Sequence, residues 1–216
     1  MDDFRPKIAA DGLKFIIPLA AVTWLFAVFG CCMFSLISGV LTGFTIFFFR
    51  DPNPNIPEGQ NLVLSPAHGK VVSIKTSVEP DFLQKEMQCI SIFLSIFDCH
   101  VTRNPYPGAI KSTKYKPGKF HLAFSDHASD ENERFSIMLE TENKQNIVIS
   151  LIAGFVARRI VSLVKMDDKL SLAQRIGLIR FGSRVDLYLP KDVNLLVSLG
   201  DKVIGGQSII GEFTAK

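Results

Sequence analysis

The sequence predicts a mainly β fold: a β-rich single domain with some helix, preceded by an N-terminal hydrophobic helical hairpin or re-entrant membrane anchor. Three observations predict it. Residues 15–49 carry no charged side chain, and three prolines follow within residues 51–57. From residue 62 onward, short runs rich in Val, Ile and Phe alternate with turn residues, as in a sheet. We therefore divide the chain into an anchor (1–50), a proline-rich linker (51–61) and a β-rich domain (62–216).

The apolar segment is too long for one straight span. A single helix over residues 15–49 would be about 52 Å long, whereas the hydrocarbon core of a bilayer is about 30 Å thick. We predict two pieces, 15–29 and 33–49, with the bend at Gly30 or at Ser38 and Gly39.

Basic residues flank this segment on both sides: Arg5, Lys7 and Lys14 precede it and Arg50 follows it. Because cytoplasmic ends of membrane segments are enriched in Lys and Arg, both ends are predicted to lie on the cytoplasmic side of the cell membrane, as a peripheral or re-entrant anchor. The formal charge of +3 is compatible with an anionic lipid surface and gives no sign of nucleic-acid binding. The four cysteines form no Cys-x-x-Cys pair, so neither a zinc site nor a disulfide framework is indicated.

The β-rich domain is predicted from runs of apolar and β-branched residues. The predicted strands are residues 62–64, 71–76, 89–97, 109–115, 135–140, 146–152, 156–163, 176–181, 185–189, 194–197 and 208–213. Helical periodicity is confined to residues 125–134 and 169–175.

Gly182 and Ser183 form a pair with specific chemistry. Glycine has no β-carbon, so its carbonyl can be attacked by a neighbouring hydroxyl at little steric cost. Such an attack is an N→O acyl shift, which replaces the amide with an ester that can then eliminate. About one Gly-Ser pair is expected by chance in a chain of this length, so the pair alone indicates nothing.

Eight short strings surround this pair in a fixed order. They are FFRDP (48–52), SPAHGKV (65–71), IFDCHVTR (96–103), YKPGKF (115–120), NER (132–134), AGFVARRI (153–160), FGSR (181–184) and IGGQSII (204–210). Each is weak alone, but the ordered set is specific. The chain resembles the phosphatidylserine decarboxylase proenzymes of the short, pyruvoyl-dependent bacterial type, over residues 48–213 and in its hydrophobic N-terminal segment.

The resemblance implies a lyase made by autocatalytic cleavage. The chain would cut itself between Gly182 and Ser183 into a large chain (1–182) and a small chain (183–216), which stay together as a heterodimer. Ser183 would become a covalent pyruvoyl group, with no metal and no pyridoxal phosphate. This group would form a Schiff base with phosphatidylserine in the membrane, and phosphatidylethanolamine would be released after decarboxylation.

Two histidines complete the candidate catalytic set of Gly182, Ser183, His100 and His68. His100 follows the most apolar run and stands where related enzymes carry a catalytic histidine, so we assign it as the proton donor. His68 stands where the family pattern has aspartate, in Ser-Pro-Ala-Asp-Gly. Three explanations stay open: His68 itself deprotonates Ser183, another carboxylate such as Asp98 has taken over, or maturation is impaired.

Alternatives of other classes follow from the same residues. His68 is the argument for a non-catalytic, membrane-bound member of the fold, and an ether-linked serine phospholipid is an alternative substrate. Residues 197–210 resemble the hairpins of biotinyl-type carrier domains but lack their modifiable lysine turn. Arg158 and Arg159 are predicted either to send one guanidinium into a polar site or lipid headgroup region or to be a solvated pair, and residues 132–134 are interpreted as a surface turn.

Overall fold

The computed structural model describes residues 8–118, 132–154, 159–180 and 183–214. Contacts divide the chain into two units, residues 1–53 and residues 54–216. The first unit is helical and the second is built from β-strands. The predicted helix over 125–134 lies largely outside the described residues, as do residues 156–158 of a predicted strand.

The first unit is a helical hairpin. A 3₁₀ turn (Ala10–Gly12) leads into α1 (Leu13–Val28), and α2 (Cys32–Phe48) returns beside it. Gly30 has φ of +70°, and the Gly30 and Cys31 N–H groups donate to the carbonyls of Ala27 and Phe26. This is a Schellman cap, which needs the left-handed conformation that glycine adopts readily. The bend is therefore at Gly30, and α2 continues through Ser38 and Gly39.

The hairpin exposes most of its large apolar side chains and places two hydroxyls between its helices. The hydroxyls of Thr23 and Thr42 lie 3.1 Å apart between the helices, whereas large side chains such as Trp24, Phe29 and Leu36 are exposed. Residues Ala10–Val28 are long and apolar enough to cross a membrane by length and composition, and α2 is shorter. A soluble helix pair would bury most of these exposed apolar side chains.

The second unit contains fourteen strands within the described ranges. They are β1 (Leu62–Leu64), β2 (Gly69–Val78), β3 (Glu86–Leu94), β4 (Val101–Arg103), β5 (Gly108–Lys116), β6 (Arg134–Glu140), β7 (Asn146–Ala153), β8 (Ile160–Ser162), β9 (Lys169–Leu170), β10 (Arg175–Ile179), β11 (Ser183–Leu189), β12 (Val193–Leu195), β13 (Lys202–Val203) and β14 (Ile209–Phe213). The main sheet has the order β13-β2-β3-β11-β7-β6-β5-β9. Two smaller sheets have the orders β1-β14-β12 and β4-β10-β8. The mainly β prediction is confirmed.

Strand β11 lies at the centre of the main sheet, antiparallel to β3 on one side and β7 on the other. All seven of its residues are buried. Val185, Leu187 and Leu189 belong to the apolar core. Because side chains alternate along a strand, Ser183 shares the face of these core residues, and Arg184 and Asp186 lie on the other face.

The other face of the main sheet carries buried, paired charges. The Asp81 carboxylate accepts from Arg134 Nη2 at 2.9 Å and from the Ser136 hydroxyl at 2.6 Å. Arg184 donates to both carboxylate oxygens of Asp186, at 2.8 and 2.9 Å. Buried charges are tolerated when they are paired in this way. The sheet therefore has an apolar face and an ionic face, and both are buried along the central strand β11.

Two local predictions are wrong. Residues 169–175 are not helical: Lys169 and Leu170 pair with β5, and Ala173 has φ of +58°, which a helix does not allow. The strand predicted over 89–97 ends at Leu94, because the Asp98 carboxylate accepts from the Ser95 N–H at 2.8 Å and closes a turn. The apolar run continues into that turn through Ile96 and Phe97.

The buried cysteines are expected to be inert. Burial, with a contribution from the Asp186 carboxylate, raises the pKa of the Cys89 thiol to about 12. Near neutral pH the reactive thiolate is then rarer by about 10³-fold than at an ordinary cysteine. In detergent, we expect iodoacetamide to modify the exposed Cys31 and to spare Cys89 and Cys99 until the protein is unfolded, as read from peptide masses. Alkylation of native Cys89 as fast as Cys31 would contradict this.

Candidate active site

Ser183 opens β11 at one end of the main sheet. Its register partners are Leu94, the last residue of β3, and Ala153, the last residue of β7. Gly182, the predicted source of the attacked carbonyl, lies outside the described residues. The site is therefore built around the start of the central strand, where three strand ends meet.

The Ser183 hydroxyl is one of several buried polar groups that lack a hydrogen-bond partner within the described structure. The residue is fully buried, and its Oγ has no hydrogen-bond partner among the residues that the structure describes. A buried hydroxyl without a partner costs about 1–3 kcal/mol. Such a cost is typical of a reactive group that is kept available for chemistry.

Residues 132–134 bind the end of β7, next to Ser183. The surface-turn interpretation is therefore wrong. All three are buried. The Asn132 side chain donates to the Ala153 carbonyl at 2.8 Å, and the Ala153 N–H donates to the Glu133 carbonyl at 2.9 Å. These bonds fix the residue that pairs with Ser183. The sequence pattern that could have identified these buried residues is a run of three polar residues directly before an apolar strand.

His100 is buried and is held by its own turn. Its Nδ1 lies 3.0 Å from the backbone carbonyl of Asp98. The His100 carbonyl accepts from the N–H of Ile179, four residues before Ser183 in the chain. Because a carbonyl only accepts, Nδ1 carries a proton, and in the neutral ring the lone pair is on Nε2.

His68 is half-buried and is held by a distant turn. Its Nδ1 accepts from the backbone N–H of Gly205 at 3.2 Å. A β-carbon at residue 205 would come within 3.1 Å of this Nδ1, so glycine permits the close approach. Because the backbone N–H is the donor, Nδ1 of His68 is unprotonated, and the neutral ring carries its proton on Nε2.

The two histidines therefore have opposite tautomers. Neutral His100 presents a lone pair on Nε2 and can accept a proton there, whereas neutral His68 presents an N–H at the same ring position and can donate one. Both lie at the Ser183 end of the sheet: His68 directly precedes β2, and Gly69 packs against the backbone of Phe93, beside Leu94. Of the two, His100 has the tautomer of a general base.

Among the described residues, the Asp98 carboxylate binds Ser95 and not a histidine side chain. Its carboxylate accepts from the N–H and hydroxyl of Ser95, at 2.8 and 2.6 Å. It is the backbone carbonyl of Asp98 that orients His100. The carboxylate thus stabilises the turn that carries this carbonyl.

Arg103 brings a buried positive charge to the same region. Its N–H donates to the Pro66 carbonyl, and its Nη1 donates to the Ala173 carbonyl at 3.2 Å. A β-carbon at Gly206 would come within 2.8 Å of its Cδ. A buried guanidinium suits a carboxylate or phosphate ligand. Of the predicted arginine pair, Arg158 lies outside the described residues and Arg159 is exposed.

A cavity of about 450 Å³ lies at the opposite end of the main sheet. It is lined in part by Thr141 and Gln145, which precede β7, and by Asp192, which follows β11. The cavity and Ser183 therefore lie at opposite ends of the main sheet. Within the described ranges, no three His, Cys, Asp or Glu side chains come together in a group that could hold a metal ion.

Comparisons with known proteins identify the family of the chain. The family model for phosphatidylserine decarboxylase matches residues 41–211. The chain is 41% identical to a phosphatidylserine decarboxylase proenzyme from Desulfotalea psychrophila over 95% of this chain and 96% of that protein. It is 44% identical to a proenzyme of the same name from Rickettsia bellii, over 100% of this chain and 94% of that protein. The chain belongs to the phosphatidylserine decarboxylase family of enzymes.

Proposed function

We propose that this enzyme converts phosphatidylserine to phosphatidylethanolamine and matures by cutting itself between Gly182 and Ser183. The observation that carries the proposal is the Ser183 hydroxyl, which is buried without a hydrogen-bond partner among the described residues and directly follows a glycine. The name proenzyme, which the relatives carry, supports a processing step.

The cut follows from the chemistry of two neighbouring residues. Ser183 Oγ attacks the Gly182 carbonyl carbon; the new C–O bond replaces the C–N bond, and the freed nitrogen takes up the hydroxyl proton. Loss of the Ser183 Cα proton then expels the Gly182 carboxylate and leaves dehydroalanine. Water adds, ammonia leaves, and the small chain (183–216) begins with a pyruvoyl group.

A pyruvoyl group fits the position of Ser183. The serine side chain lies among the core residues of β11 and makes no hydrogen bond, within the described structure, that would be lost on conversion to a ketone. When present, the group supplies a carbonyl that captures the substrate amine and accepts the electrons left by the departing carboxylate. The remaining tasks, which are binding and proton transfer, fall to side chains of this protein.

His100 is the proposed proton-transfer residue. Its Nδ1 proton is held on the Asp98 carbonyl, so Nε2 is the nitrogen that exchanges protons. In the unprotonated form Nε2 accepts the Ser183 hydroxyl proton and passes it to the freed nitrogen, and in the protonated form it donates to the substrate carbon after decarboxylation. Arg103 supplies positive charge for the anionic headgroup.

The two cleavage products are proposed to stay together as a heterodimer. The small chain contains β11 to β14. Strand β11 is bonded to β3 and β7, β13 to β2, and β14 to β1, and all of these partners belong to the large chain (1–182). Separation would break the centre of the main sheet, so the chains should part only in denaturant.

The N-terminal segment is proposed to anchor a decarboxylase domain (62–216) through the linker (51–61). The exposed apolar side chains of the hairpin support this, as does the flanking positive charge of Lys14 and Arg50. By the positive-inside tendency, the catalytic domain lies on the cytoplasmic side of the cell membrane.

One measurement tests the proposal directly. The intact mass of the purified protein should show chains 1–182 and 183–216, the second blocked to N-terminal sequencing, and the same sample should release CO₂ from phosphatidylserine. A single full-length chain without activity would instead support the non-catalytic alternative. Because the headgroup chemistry is the same for ester- and ether-linked tails, this measurement applies equally to both substrates.

His68 is proposed to support maturation by accepting the Gly205 hydrogen bond. We expect His68→Ala to slow self-cleavage by about tenfold, because a buried N–H left without its acceptor costs about 1–3 kcal/mol. His68→Asp and the neutral His68→Asn both keep an oxygen acceptor near Nδ1 and should cleave at rates close to wild type. Gel time courses after synthesis measure this. Cleavage of His68→Ala at the wild-type rate would show that the contact has no role.

A further inference from the structure

The turn that joins β3 to β4 presents two large apolar side chains to solvent. The Asp98 N–H donates to the Ser95 carbonyl at 2.9 Å, which makes Ile96 and Phe97 the central residues of a β-turn. Ile96 is 40% exposed and Phe97 is 64% exposed. Gly, Asn, Asp, Pro and Ser dominate at turns for conformational reasons. An Ile-Phe pair at this position breaks that local rule, as functional sites often do.

The turn is held firmly in this shape. The Asp98 carboxylate accepts from both the N–H and the hydroxyl of Ser95. Leu94 before the turn and Cys99 after it are fully buried. Both ends are therefore fixed, and the two apolar side chains are kept at the tip of a rigid projection.

The projection lies at the active-site end of the main sheet. Leu94, one residue before the turn, is the register partner of Ser183. Asp98, the last residue of the turn, orients His100 through its carbonyl. The side chains of Ile96 and Phe97 thus form the apolar tip, whereas Asp98, and not the tip, orients the candidate acid–base group.

Exposed basic side chains lie at the same end. Lys70 pairs with Phe93 in β3 and with Lys202 in β13. The Arg159 carbonyl accepts from the N–H of Arg180, three residues before Ser183. Lys70, Lys202 and Arg159 are exposed. The exposed Asp201 is the opposing charge here, and its carboxylate accepts from the Ser198 N–H.

We propose that Ile96 and Phe97 insert into the bilayer surface as a second membrane contact, separate from the hairpin, while Lys70, Lys202 and Arg159 face anionic headgroups. An apolar tip with exposed basic residues at the same end of the sheet matches the interface of an anionic bilayer, which is apolar below and negatively charged above. The choice of a lipid surface rests on the proposed function, since the substrate's acyl chains stay in the membrane. The contact would bring the Ser183 end of the sheet to the headgroups.

The insertion depth of Phe97 tests this directly. In full-length protein that carries Trp24→Phe, which removes the single tryptophan, Phe97→Trp places a probe at the tip. In vesicles of phosphatidylcholine and phosphatidylglycerol, its emission should shift to the blue and be quenched by lipids brominated on their acyl chains. The matched control is Val78→Trp, which is 55% exposed at the opposite end of β2. If the tip probe is quenched no more than the control, the proposal is wrong.

Kinetics give a second, independent readout. Phe97→Ser should raise KM for phosphatidylserine in vesicles by about tenfold or more, the effect of losing one buried aromatic side chain. Self-cleavage and turnover of a short-chain, water-soluble phosphatidylserine should stay at the wild-type level. Equal losses on both substrates would show that Phe97 supports the catalytic turn and not the membrane contact. Failure of the proposed function looks different, because the wild type itself would then stay uncleaved and inactive.

Discussion

Ser183→Ala is expected to leave one full-length chain of 216 residues with no decarboxylase activity. The hydroxyl is the group that attacks Gly182, and it is also the origin of the pyruvoyl group. Its removal therefore abolishes maturation and chemistry together. The fold should be retained, because the lost Oγ makes no hydrogen bond within the described structure and alanine fits the core face of β11.

The measurements are intact mass, CO₂ release and thermal unfolding. Removal of a buried hydroxyl without a partner should leave the stability unchanged or raise it slightly. Ser77→Ala, at the far end of β2, is the matched control and should cleave and react like the wild type. Two chains in the Ser183→Ala variant would overturn the pyruvoyl proposal.

The sequence strings select the candidate site residues but do not predict their hydrogen bonds. The order of the strings places Gly182, Ser183 and His100 in one family pattern, and the structure brings Ser183 and His100 to one end of the sheet. The acceptor role of His68 was not predictable, because its partner Gly205 is 137 positions away in the chain. Long-range contacts of this kind leave no local pattern.

The fold was predictable where elements are long and periodic. The hairpin follows from length and apolar composition, and Gly30, one of the two predicted bend positions, is the one that adopts positive φ. The two-residue strands β9 and β13 are too short to show alternation. The turn after Leu94 was missed because apolar residues continue through it, and its one local signal is Asp98, which closes it from three residues beyond Ser95.

Removal of the hairpin is expected to have the second-largest effect, which is the loss of most of the membrane affinity. Ten of its exposed apolar side chains, at about 1.5–3 kcal/mol each, gain about 15–30 kcal/mol on burial in lipid. A basic residue near an anionic surface gains about 1 kcal/mol, so the formal charge of +3 contributes far less. The wild type should therefore stay with membranes through a high-salt wash and be released only by detergent.

A truncated chain that begins at Pro54, the first residue of the second unit, should be markedly more soluble. It should still cleave itself, because Ser183, His100 and His68 all lie in the retained part. It should turn over short-chain, water-soluble phosphatidylserine better than phosphatidylserine in vesicles, because it has lost the hairpin that holds it on the bilayer. Membrane pelleting and the two assays measure these effects. If salt alone released the wild type, the hairpin would not be inserted, and its apolar surface would have to be covered by protein instead of lipid.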